Sequence, residues 1–419
     1  MNKTMTKDKR IETVTIERLG HRGDGIAETE DGPVYVAFTL PGERVEIERS
    51  GDRGRLLRIF ETSPARVAPR CKHFGSCGGC ALQHMRQKSY LEWKRDQVTV
   101  PLSQRGLKAR VSAAEPVPLG SRRRAVFAAR RVGHGSVFGY HGRQSHHIFK
   151  IEECPILRPE ISEKLKGLAE LADRLTPRKN EIRIGVTVTD TGLDVAFEGP
   201  KQRPPALVPV AVPLIEKLGI ARLSIAGDTV MQLAEPVVRI DDTEVEVPPL
   251  GFLQASAHAE AVMGRHVMTG IDSARTVADL YSGIGTFALR LARQARVLAV
   301  EGDGPALSAL ELAARRGSGL KQIDTLKRDL ARMPMSAHEL KDFDAVVFDP
   351  PRAGADAQAQ EIARSGVEKV VAVSCNPGTL ARDLKSLVDG GYRIDRVIPV
   401  DQFLFSPHIE AVALLSRDV

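Results

Sequence analysis

The pattern of apolar and polar positions changes about two thirds of the way along the chain. The first part carries short β-rich runs, such as Val14–Glu17, Pro33–Phe38 and Arg44–Arg49, separated by turns that contain Gly, Asp and Pro. From about residue 276, strand-like apolar runs alternate with stretches of helical spacing. The second pattern predicts an α/β fold with a doubly wound, mostly parallel sheet. The first predicts a small N-terminal β-barrel followed by a mixed, β-rich central domain.

The remaining elements are predicted from the same patterns. We expect a helix from about 86 to 98, a β-hairpin over 122–150 and a second helix over 162–175. Residues 181–250 should be mostly strands, with a Pro-rich connection at 204–213. The strand candidates of the C-terminal part are Thr276–Leu280, Val297–Val300, Ala345–Phe348, Val370–Val373, Tyr392–Val400 and Ile409–Leu415.

A length of 419 residues suits two or three domains at about 150 residues each. We expect these domains at 1–64, 65–250 and 251–419. No apolar run is long enough to predict a membrane span, and no apolar stretch follows the charged start MNKTMTKDKR, so we expect no secretory signal. The sequence therefore predicts a cytoplasmic protein without a membrane partner.

Positive charge is concentrated in the first third of the chain. Residues 1–154 carry 28 Lys and Arg against 17 Asp and Glu, whereas the remainder carries 32 against 36. A basic module on a near-neutral remainder is typical of a protein that binds a polyanion such as RNA. A merely soluble basic surface would give the same count. The consecutive Arg122, Arg123 and Arg124 are the first candidates for contact with RNA phosphates.

Glycine and acidic residues follow the first strand candidates of the C-terminal part. The first strand leads into a loop at 281–285 whose two glycines allow a tight turn and close approach of a ligand. The second ends in Glu301, which is either a solvated acid or a carboxylate that accepts hydrogen bonds from a ribose. Ala288 occupies the place of the third glycine of a dinucleotide loop, so S-adenosylmethionine, which has no pyrophosphate, fits better than NAD. Asp329 could hold an adenine amino group, although helix capping is the commoner explanation.

The next strand candidates end in groups suited to chemistry on a base. In Asp349-Pro350-Pro351-Arg352 two prolines make a rigid loop, and Arg352 counts against methylation of an exocyclic nitrogen, where an aromatic residue is usual. Cys375 lies in a polar turn just before a helix whose dipole favours the thiolate, although most lone cysteines are inert.

The last strand candidate adds an acid to this set. If that strand runs antiparallel beside the fifth, Glu410 faces Cys375 across one strand spacing of ~5 Å. Without the cysteine, a surface glutamate would be the plainer interpretation. A thiolate that adds to carbon 6 of uracil makes carbon 5 nucleophilic toward a methyl donor, and a base must then remove the carbon-5 proton. Cys375 and Glu410 suit those two steps.

Four of the five cysteines lie within residues 71–154, and their odd total in a chain without an export signal argues against disulfides. Three of them have the spacing Cys-x5-Cys-x2-Cys, and the fourth stands alone before a proline. Zinc sites usually pair two Cys-x2-Cys units, so this pattern favours a 4Fe-4S cluster, with zinc or no metal as the alternatives. The predicted ligands are Cys71, Cys77, Cys80 and Cys154.

Taken together, these motifs resemble the bacterial RNA uracil-5-methyltransferase family, specifically its iron–sulfur branch that acts on 23S ribosomal RNA. The resemblance covers nearly the whole chain and rests on GERV at 42–45, DPPRAG at 349–354, SCNPGTLARD at 374–383 and HIE at 408–410. It implies a Rossmann-like class I methyltransferase domain whose last strand is antiparallel. It also implies a TRAM-like RNA-binding barrel and a central domain with the cluster and an RNA-binding hairpin.

The resemblance assigns roles to single residues and partners. Cys375 would be the nucleophile and Glu410 the proton acceptor. The partner would be RNA, in particular 23S ribosomal RNA, and we expect a monomer. The cofactor site for S-adenosylmethionine would contain Gln254, Tyr281, Glu301 and Asp349, to which the position after the third strand adds Asp329.

The chain departs from the family's pattern in two places. The family commonly has Phe-Phe-Gln-Val-Asn where this chain has Phe-Leu-Gln-Ala-Ser, which puts the role of that Asn, here Ser256, in doubt. Ser406 stands where a Thr is frequent. Rival interpretations are a nicotinamide-dependent oxidoreductase, a tRNA uracil-5 or RNA cytosine-5 methyltransferase, and a non-catalytic RNA-binding protein.

Overall fold

The computed structural model describes residues 9–143, 145–177, 179–199 and 208–417. The strands in these ranges form three large sheets and one two-stranded hairpin. None of the helices in the same ranges is long and apolar enough to cross a membrane.

The N-terminal sheet has six short strands in the order β1-β5-β6-β4-β3-β2. Along β5, Val45 and Ile47 are buried while Arg44 is exposed, as expected for a strand with one face on a core. The core also contains Ile16 and Val36. The strands are β1 (Arg10–Thr15), β2 (Arg18–Leu19), β3 (Gly25–Ala27), β4 (Val34–Val36), β5 (Arg44–Ser50) and β6 (Arg53–Glu61).

An irregular segment with three of the cysteines leads from this sheet to helix α1 (Gln87–Gln104). The helix is longer than the predicted 86–98 and contains Pro101. Its Val98 and Leu102 are buried in a core cluster of the C-terminal sheet. The helix therefore anchors the cysteine segment to the C-terminal part of the chain.

The central sheet has seven strands in the order β13-β12-β11-β10-β7-β8-β9, and every neighbouring pair is antiparallel except β11 and β12. Leucines of helix α3 are buried in the core of this sheet because they repeat at helical spacing. The elements are β7 (Arg124–Val132), β8 (Gly135–His141), β9 (Ile148–Lys150), α2 (Pro159–Ser162), α3 (Leu165–Leu175), β10 (Ile182–Thr189), β11 (Gly192–Glu198), α4 (Val208–Lys217), β12 (Ile220–Ile225), β13 (Asp228–Gln232), and the hairpin β14 (Val237–Ile240) with β15 (Thr243–Glu246).

Three predictions for this region need correction. The hairpin predicted over 122–150 has a third strand, β9, paired to β8. The helix predicted over 162–175 is α3, which begins at Leu165, and the separate short helix α2 ends at Ser162. The connection predicted at 204–213 is partly helical, because α4 begins at Val208 and accommodates Pro213, whereas 204–207 lie outside the described residues.

The C-terminal sheet has seven strands in the order β18-β17-β16-β19-β20-β22-β21. Strands β16 to β20 are parallel, and β22 lies antiparallel between β20 and β21. The predicted doubly wound sheet with an antiparallel last strand is confirmed. The elements are α5 (Ala257–Ile271), β16 (Thr276–Leu280), α6 (Ala288–Leu291), β17 (Arg296–Glu301), α7 (Gly304–Arg316), β18 (Ile323–Lys327), α8 (Ala337–Leu340), β19 (Ala345–Phe348), α9 (Asp356–Ser365), β20 (Lys369–Ser374), α10 (Pro377–Asp389), β21 (Arg393–Val400) and β22 (Glu410–Ser416).

The order of the sheet fixes where a ligand binds. The chain leaves β16 toward β17 and β18 on one side and crosses back to β19 and β20 on the other. Ligands of open α/β sheets bind at the carboxyl ends of the strands at such a reversal. Tyr281, Glu301, Asp349 and Cys375 follow the carboxyl ends of β16, β17, β19 and β20.

Candidate active site

The nucleophile and base predicted from the sequence lie at facing strand ends. In the antiparallel pair of β20 and β22, Ser374 is the partner of Ala411. The next position of that register sets Cys375, just beyond β20, against Glu410, the first residue of β22. Both side chains line one cavity. The structure therefore places the two groups together as the sequence predicted, while their chemical roles stay predictions.

The electrostatic surroundings of Cys375 differ from the prediction. Burial, followed by the nearby carboxylates of Glu410 and Asp349, raises the pKa of the Cys375 thiol to about 11, and Arg352 opposes this only in part. The expectation that a helix terminus would favour the thiolate is therefore wrong for the free protein. Desolvation and two like charges outweigh the dipole of α10.

Glu410 is buried, with 4% of its surface exposed. Burial first, and the charge of Asp349 second, raise the pKa of the Glu410 carboxyl well above its usual range. The side-chain amide of Gln402 opposes this shift, because its Nε2 donates to Glu410 Oε1 at 3.1 Å. Gln402 lies in the loop between β21 and β22, and no motif in the sequence singles it out.

Gln254 and Asp349 meet on the cofactor side of the site. Gln254 Nε2 donates to Asp349 Oδ2 at 3.0 Å, and Gln254 Oε1 accepts from Gln402 Nε2 at 2.8 Å. Burial raises the pKa of Asp349 to about 7. Two residues further, Ser256 caps helix α5 with its side chain and accepts from the amide of Ala259.

The loop after β16 is held in an unusual backbone conformation. Tyr281 has φ = +63°, which is uncommon for a residue with a side chain and is found at functional sites. Gly285 has φ = +98°, and a Cβ at this position would lie 2.5 Å from a carbon of Leu310, so only glycine fits. Glu301 supports the same loop, because its Oε2 accepts from the amide of Gly283 at 2.9 Å. The predicted ribose acid thus also shapes the glycine loop.

Asp279, near the end of β16, is a further site residue that the sequence interpretation did not select. It is buried, and its Oδ2 has no hydrogen-bond partner within the part of the chain that the structure describes; the same holds for the hydroxyl of Ser282. Burial, then Asp349, raises the pKa of Asp279 well above its usual range. Buried polar atoms are normally paired, so both atoms are suited to a ligand. The position of Asp279 two residues before the glycine loop is the feature of the sequence by which it could have been selected.

Asp329 does not cap a helix, because it lies in the turn after β18 and the next helix, α8, begins only at Ala337. Its carboxylate is exposed, accepts from the amide of Ala331 at 3.1 Å and pairs with Arg332 at 3.4 Å. It nevertheless lies on the cofactor side, since it acts electrostatically on Tyr281. A contact between Asp329 and a cofactor stays a prediction.

A cavity of about 490 Å³ joins the catalytic pair to the cysteine segment. This volume is within the usual range for small-molecule sites. Phe252 and Gln402 lie in its wall, and so do all five cysteines: Cys71, Cys77, Cys80, Cys154 and Cys375. The sequence suggested two separate tasks for the cysteines, but the structure brings them to one cavity.

The four predicted cluster ligands act on one another. Burial raises the pKa of Cys80 to about 12, and the other three thiols contribute further. In the described residues no group of three or more His, Cys, Asp or Glu side chains is compact enough to hold a single metal ion. Four thiols around one cavity are nevertheless the donor set of an iron–sulfur cluster. The metal site predicted from spacing therefore stays a prediction.

Of the three consecutive arginines, Arg123 is not the exposed RNA contact that the sequence suggested, whereas Arg122 and Arg124 line the cavity of the catalytic pair and their contact with RNA stays a prediction. Arg123 is buried, donates to the carbonyl of Gln254 at 2.9 Å and forms an ion pair with Glu260 of α5. Arg124 is half-buried and donates to a backbone carbonyl at 3.0 Å. A buried arginine needs its acidic partner, so Arg123 joins the central sheet to the C-terminal part instead.

Further arginines line an open groove of about 780 Å³ that also reaches Cys375. Its wall includes the exposed Arg22 and Arg352 and the partly buried Arg143, and among the described residues it contains no Asp or Glu. Arg143 is paired with Asp24. Arg22 is exposed and has no hydrogen-bond or ion-pair partner within the residues that the structure describes. The groove is suited to a phosphate backbone.

The loop that leads to Glu410 is anchored from outside its own sheet. Lys94 of α1 is fully buried and pairs with Asp401 at 2.7 Å. Tyr90 donates to the same carboxylate at 2.7 Å and accepts from the amide of Phe405 at 2.7 Å. Lys94 also donates to the carbonyl of His408, so helix α1 holds the loop that carries Gln402 at both of its ends.

Comparisons with known proteins agree with this architecture. Residues 250–418 match the family model described as tRNA (Uracil-5-)-methyltransferase, and residues 7–48 match the TRAM domain. An uncharacterized RNA methyltransferase of Rhizobium meliloti (strain 1021) is 49% identical, and the match covers 97% of this chain and 99% of the relative. A 23S rRNA (uracil(1939)-C(5))-methyltransferase RlmD of Edwardsiella ictaluri (strain 93-146) is 33% identical, with 98% and 96% covered.

A solved structure confirms the fold along nearly the whole chain. The Pyrococcus abyssi tRNA (uracil-54, C5)-methyltransferase, in complex with S-adenosyl-L-homocysteine, aligns with a TM-score of 0.75 at 24% identity and covers 96% of this chain and 99% of its own. At this identity the likeness concerns the fold alone. The family model, the full-length relatives and the motifs at the strand ends lead to one conclusion. This chain belongs to the RNA uracil-5-methyltransferase family.

Proposed function

We propose that this protein methylates carbon 5 of a specific uridine in 23S ribosomal RNA, with Cys375 as the nucleophile and Glu410 as the base. The observation that carries the proposal is the register of β20 and β22, which sets the two residues against each other in one cavity. The relative named for a 23S ribosomal RNA uracil supports the choice of RNA, because it matches over nearly the full length of both chains.

The bonds and protons of this reaction balance. The Cys375 thiol gives up its proton to solvent, its sulfur adds to carbon 6 of the uracil, and the electron pair of the ring double bond moves toward the carbonyl oxygen at carbon 4. Carbon 5 of the resulting enolate takes the methyl group, which S-adenosylmethionine supplies as an electrophile. Glu410 then removes the carbon-5 proton, the ring double bond forms again, and the bond between carbon 6 and Cys375 breaks.

The residues around the glycine loop fit S-adenosylmethionine. Asp279 Oδ2 and the hydroxyl of Ser282, which have no hydrogen-bond partner among the described residues, would form the polar part of its binding site. A cofactor with a positive sulfonium and a positive amino group suits this acidic surrounding. We assign the contacts to Gln254, Tyr281, Glu301, Asp329 and Asp349.

For the cysteine segment we propose a 4Fe-4S cluster. Its ligands would be Cys71, Cys77 and Cys80, from the irregular segment before α1, and Cys154, from the loop after β9. The bonds from the four cysteine sulfurs to the cluster would join two segments that have little regular secondary structure. The main effect of the cluster would therefore be on the stability of the fold. The support is the common cavity of the four thiols and their spacing.

The same proposal assigns a function to each of the three predicted domains. Residues 1–64 would be the TRAM-like RNA-binding domain, 65–250 the central domain with the cluster, and 251–419 the catalytic domain. The RNA would approach along the groove lined by Arg22 and Arg352, because it reaches Cys375 and contains no acidic side chain.

The test of the proposed chemistry is a trapped adduct between protein and RNA. Cys375→Ala should abolish methylation while S-adenosylmethionine still binds. Glu410→Gln should leave methylated RNA joined to Cys375, because attack and methyl transfer precede proton removal. Wild-type protein should form the same adduct with RNA that contains 5-fluorouracil, since fluorine cannot leave as a proton does. Methylation by Cys375→Ala, or adducts that do not depend on Cys375, would refute the covalent mechanism.

The choice of RNA is tested separately. Cells that lack the gene should lose 5-methyluridine from 23S ribosomal RNA, as measured by mass spectrometry of nucleosides from purified RNA fractions. Loss from the tRNA fraction would select the tRNA uracil-5 alternative. Loss of 5-methylcytidine would select the cytosine-5 alternative.

A further inference from the structure

The side chain of Gln402 has all its polar atoms engaged in one hydrogen-bonded chain. It is buried, with 3% of its surface exposed. Its Nε2 donates to Gln254 Oε1 at 2.8 Å and to Glu410 Oε1 at 3.1 Å, and its Oε1 accepts from the amide of Ser256 at 3.4 Å. Because Gln254 in turn donates to Asp349, two carboxylates are connected through two amides.

The chain has a fixed direction. A glutamine amide has two N–H donors on one atom and an acceptor on the other. If the Gln402 amide were flipped, its oxygen would face the oxygens of Gln254 and Glu410, and its nitrogen would face the amide of Ser256. Acceptors would then face acceptors and donors would face a donor, so the orientation without the flip is favoured. That orientation points a donor at the carboxylate of the proposed base.

We propose that Gln402 is a positioning residue that orients Glu410 toward the base of the RNA, favours its ionised form and couples it to the cofactor side through Gln254. The inference rests on the proposed function of Glu410. The charged or titratable groups that act on Glu410 are Asp349 after β19 and Cys375 after β20, and neither favours an additional negative charge nearby. The N–H of Gln402 is the contact that opposes them.

The consequence is specific to one step of the reaction. Attack by Cys375 and methyl transfer precede the use of the base, whereas proton removal and release of Cys375 depend on it. Without the N–H of Gln402, Glu410 should bind its proton more tightly, and the loss of one hydrogen bond to a charged group should lower the ionised fraction by about tenfold. The methylated adduct should then accumulate with ordinary uridine RNA, where the wild-type protein shows little.

The experiment compares Gln402→Leu and Gln402→Glu with Gln358→Leu. Gln402→Glu keeps the size of the side chain and an acceptor for the Ser256 amide but places a carboxylate against Glu410. Gln358 is the matched control, a glutamine with 1% exposure that donates to and accepts from the backbone of Met335, away from the site. We expect both Gln402 variants to show about tenfold slower turnover at neutral pH and adduct on denaturing gels. Their activity should recover as the pH rises by about one unit.

The outcomes separate this inference from the proposed function. Gln358→Leu should lower thermal stability without adduct or a shifted pH profile, as a merely structural role would. If both Gln402 variants release product at the wild-type rate with the wild-type pH profile, the positioning role is refuted while the covalent mechanism stands. If no protein, wild type included, is trapped by 5-fluorouracil RNA, the proposed function itself fails. Gln402→Glu decides the matter if Gln402→Leu does not fold.

Discussion

The thiol of Cys375 should be almost inert toward alkylation in the free protein at neutral pH. Its pKa is raised from an ordinary value of 9.0 to about 11. At pH 7.5 this leaves ~0.03% of the thiol ionised, against ~3% for an ordinary thiol, a difference of ~100-fold. Because the thiolate is the reactive form, the rate of carboxamidomethylation by iodoacetamide should be lower by a similar factor than that of a free cysteine.

The carboxylate of Glu410 accounts for part of this suppression. A like charge close by shifts a pKa by about one unit, so Glu410→Gln should speed alkylation of Cys375 by ~10-fold between pH 8 and 10. The same substitution should block product release. Glu410→Gln should therefore raise the rate of alkylation of Cys375 while it lowers the rate of methylation turnover. Glu368→Gln is the matched control, because it removes an exposed glutamate next to the other end of β20.

The assay is timed alkylation at several pH values, followed by mass spectrometry of the peptide that contains Cys375. This readout separates Cys375 from the four cluster cysteines, which lie on other peptides. Alkylation of wild-type Cys375 with an apparent pKa near 8 would contradict the reasoning. So would an unchanged rate in Glu410→Gln, or an equal acceleration in Glu368→Gln.

Three further predictions concern the cofactor, the RNA and the cluster. Asp279→Asn should weaken S-adenosylmethionine binding, measured by calorimetry, and raise the melting temperature of the free protein. Because the pKa of Asp279 is raised on folding, its carboxyl stabilises the folded protein below its unfolded-state pKa, and this stabilisation is lost as the pH rises. The gain in melting temperature in Asp279→Asn should therefore be larger at pH 8 than at pH 5. Arg22→Ala should lower the slope of log affinity for RNA against log salt by ~0.7, whereas Arg18→Ala, whose guanidinium is paired with Glu28 at 2.7 Å, should not. Anaerobically purified protein should be brown and contain iron and sulfide, both lost in Cys80→Ser; one zinc per chain without iron would contradict the cluster.

The elements that the sequence predicted well have an unambiguous local pattern. Ala345–Phe348 has the predicted bounds because a strand buried on both faces is a continuous apolar run. Thr276–Leu280 also has the predicted bounds, although Asp279 interrupts its apolar run. The meeting of Cys375 and Glu410 was also predictable, since an antiparallel last strand brings its first residue to the edge where its neighbour ends. A third strand was expected before Asp329, but its bounds were not predicted, because Ile323–Lys327 (β18) mixes polar and apolar residues at the edge of the sheet.

The errors concern partners that are distant in sequence. Three adjacent arginines look like a basic surface, and nothing near Arg123 in the sequence reveals that Glu260 will neutralise it. Gln402 could not be selected either. A single polar residue in a loop belongs to no sequence motif, and its role becomes visible only when the residues that contact it in the fold are known. The pKa of Cys375 was predicted in the wrong direction for the same reason. A helix terminus is visible in sequence, whereas burial and the approach of Asp349 are properties of the fold.

Asp349 links the cofactor side to the reacting groups by its charge. Its carboxylate raises the pKa of Asp279, of Glu410 and of the Cys375 thiol. A cation bound beside Asp349 would therefore lower all three pKa values. Because such coupling is reciprocal, ionisation of these groups would in turn favour binding of the cation. In the proposed reaction, a bound sulfonium favours the thiolate before attack. Its positive charge disappears on methyl transfer, so the proton affinity of Glu410 rises at the step in which it must accept the carbon-5 proton.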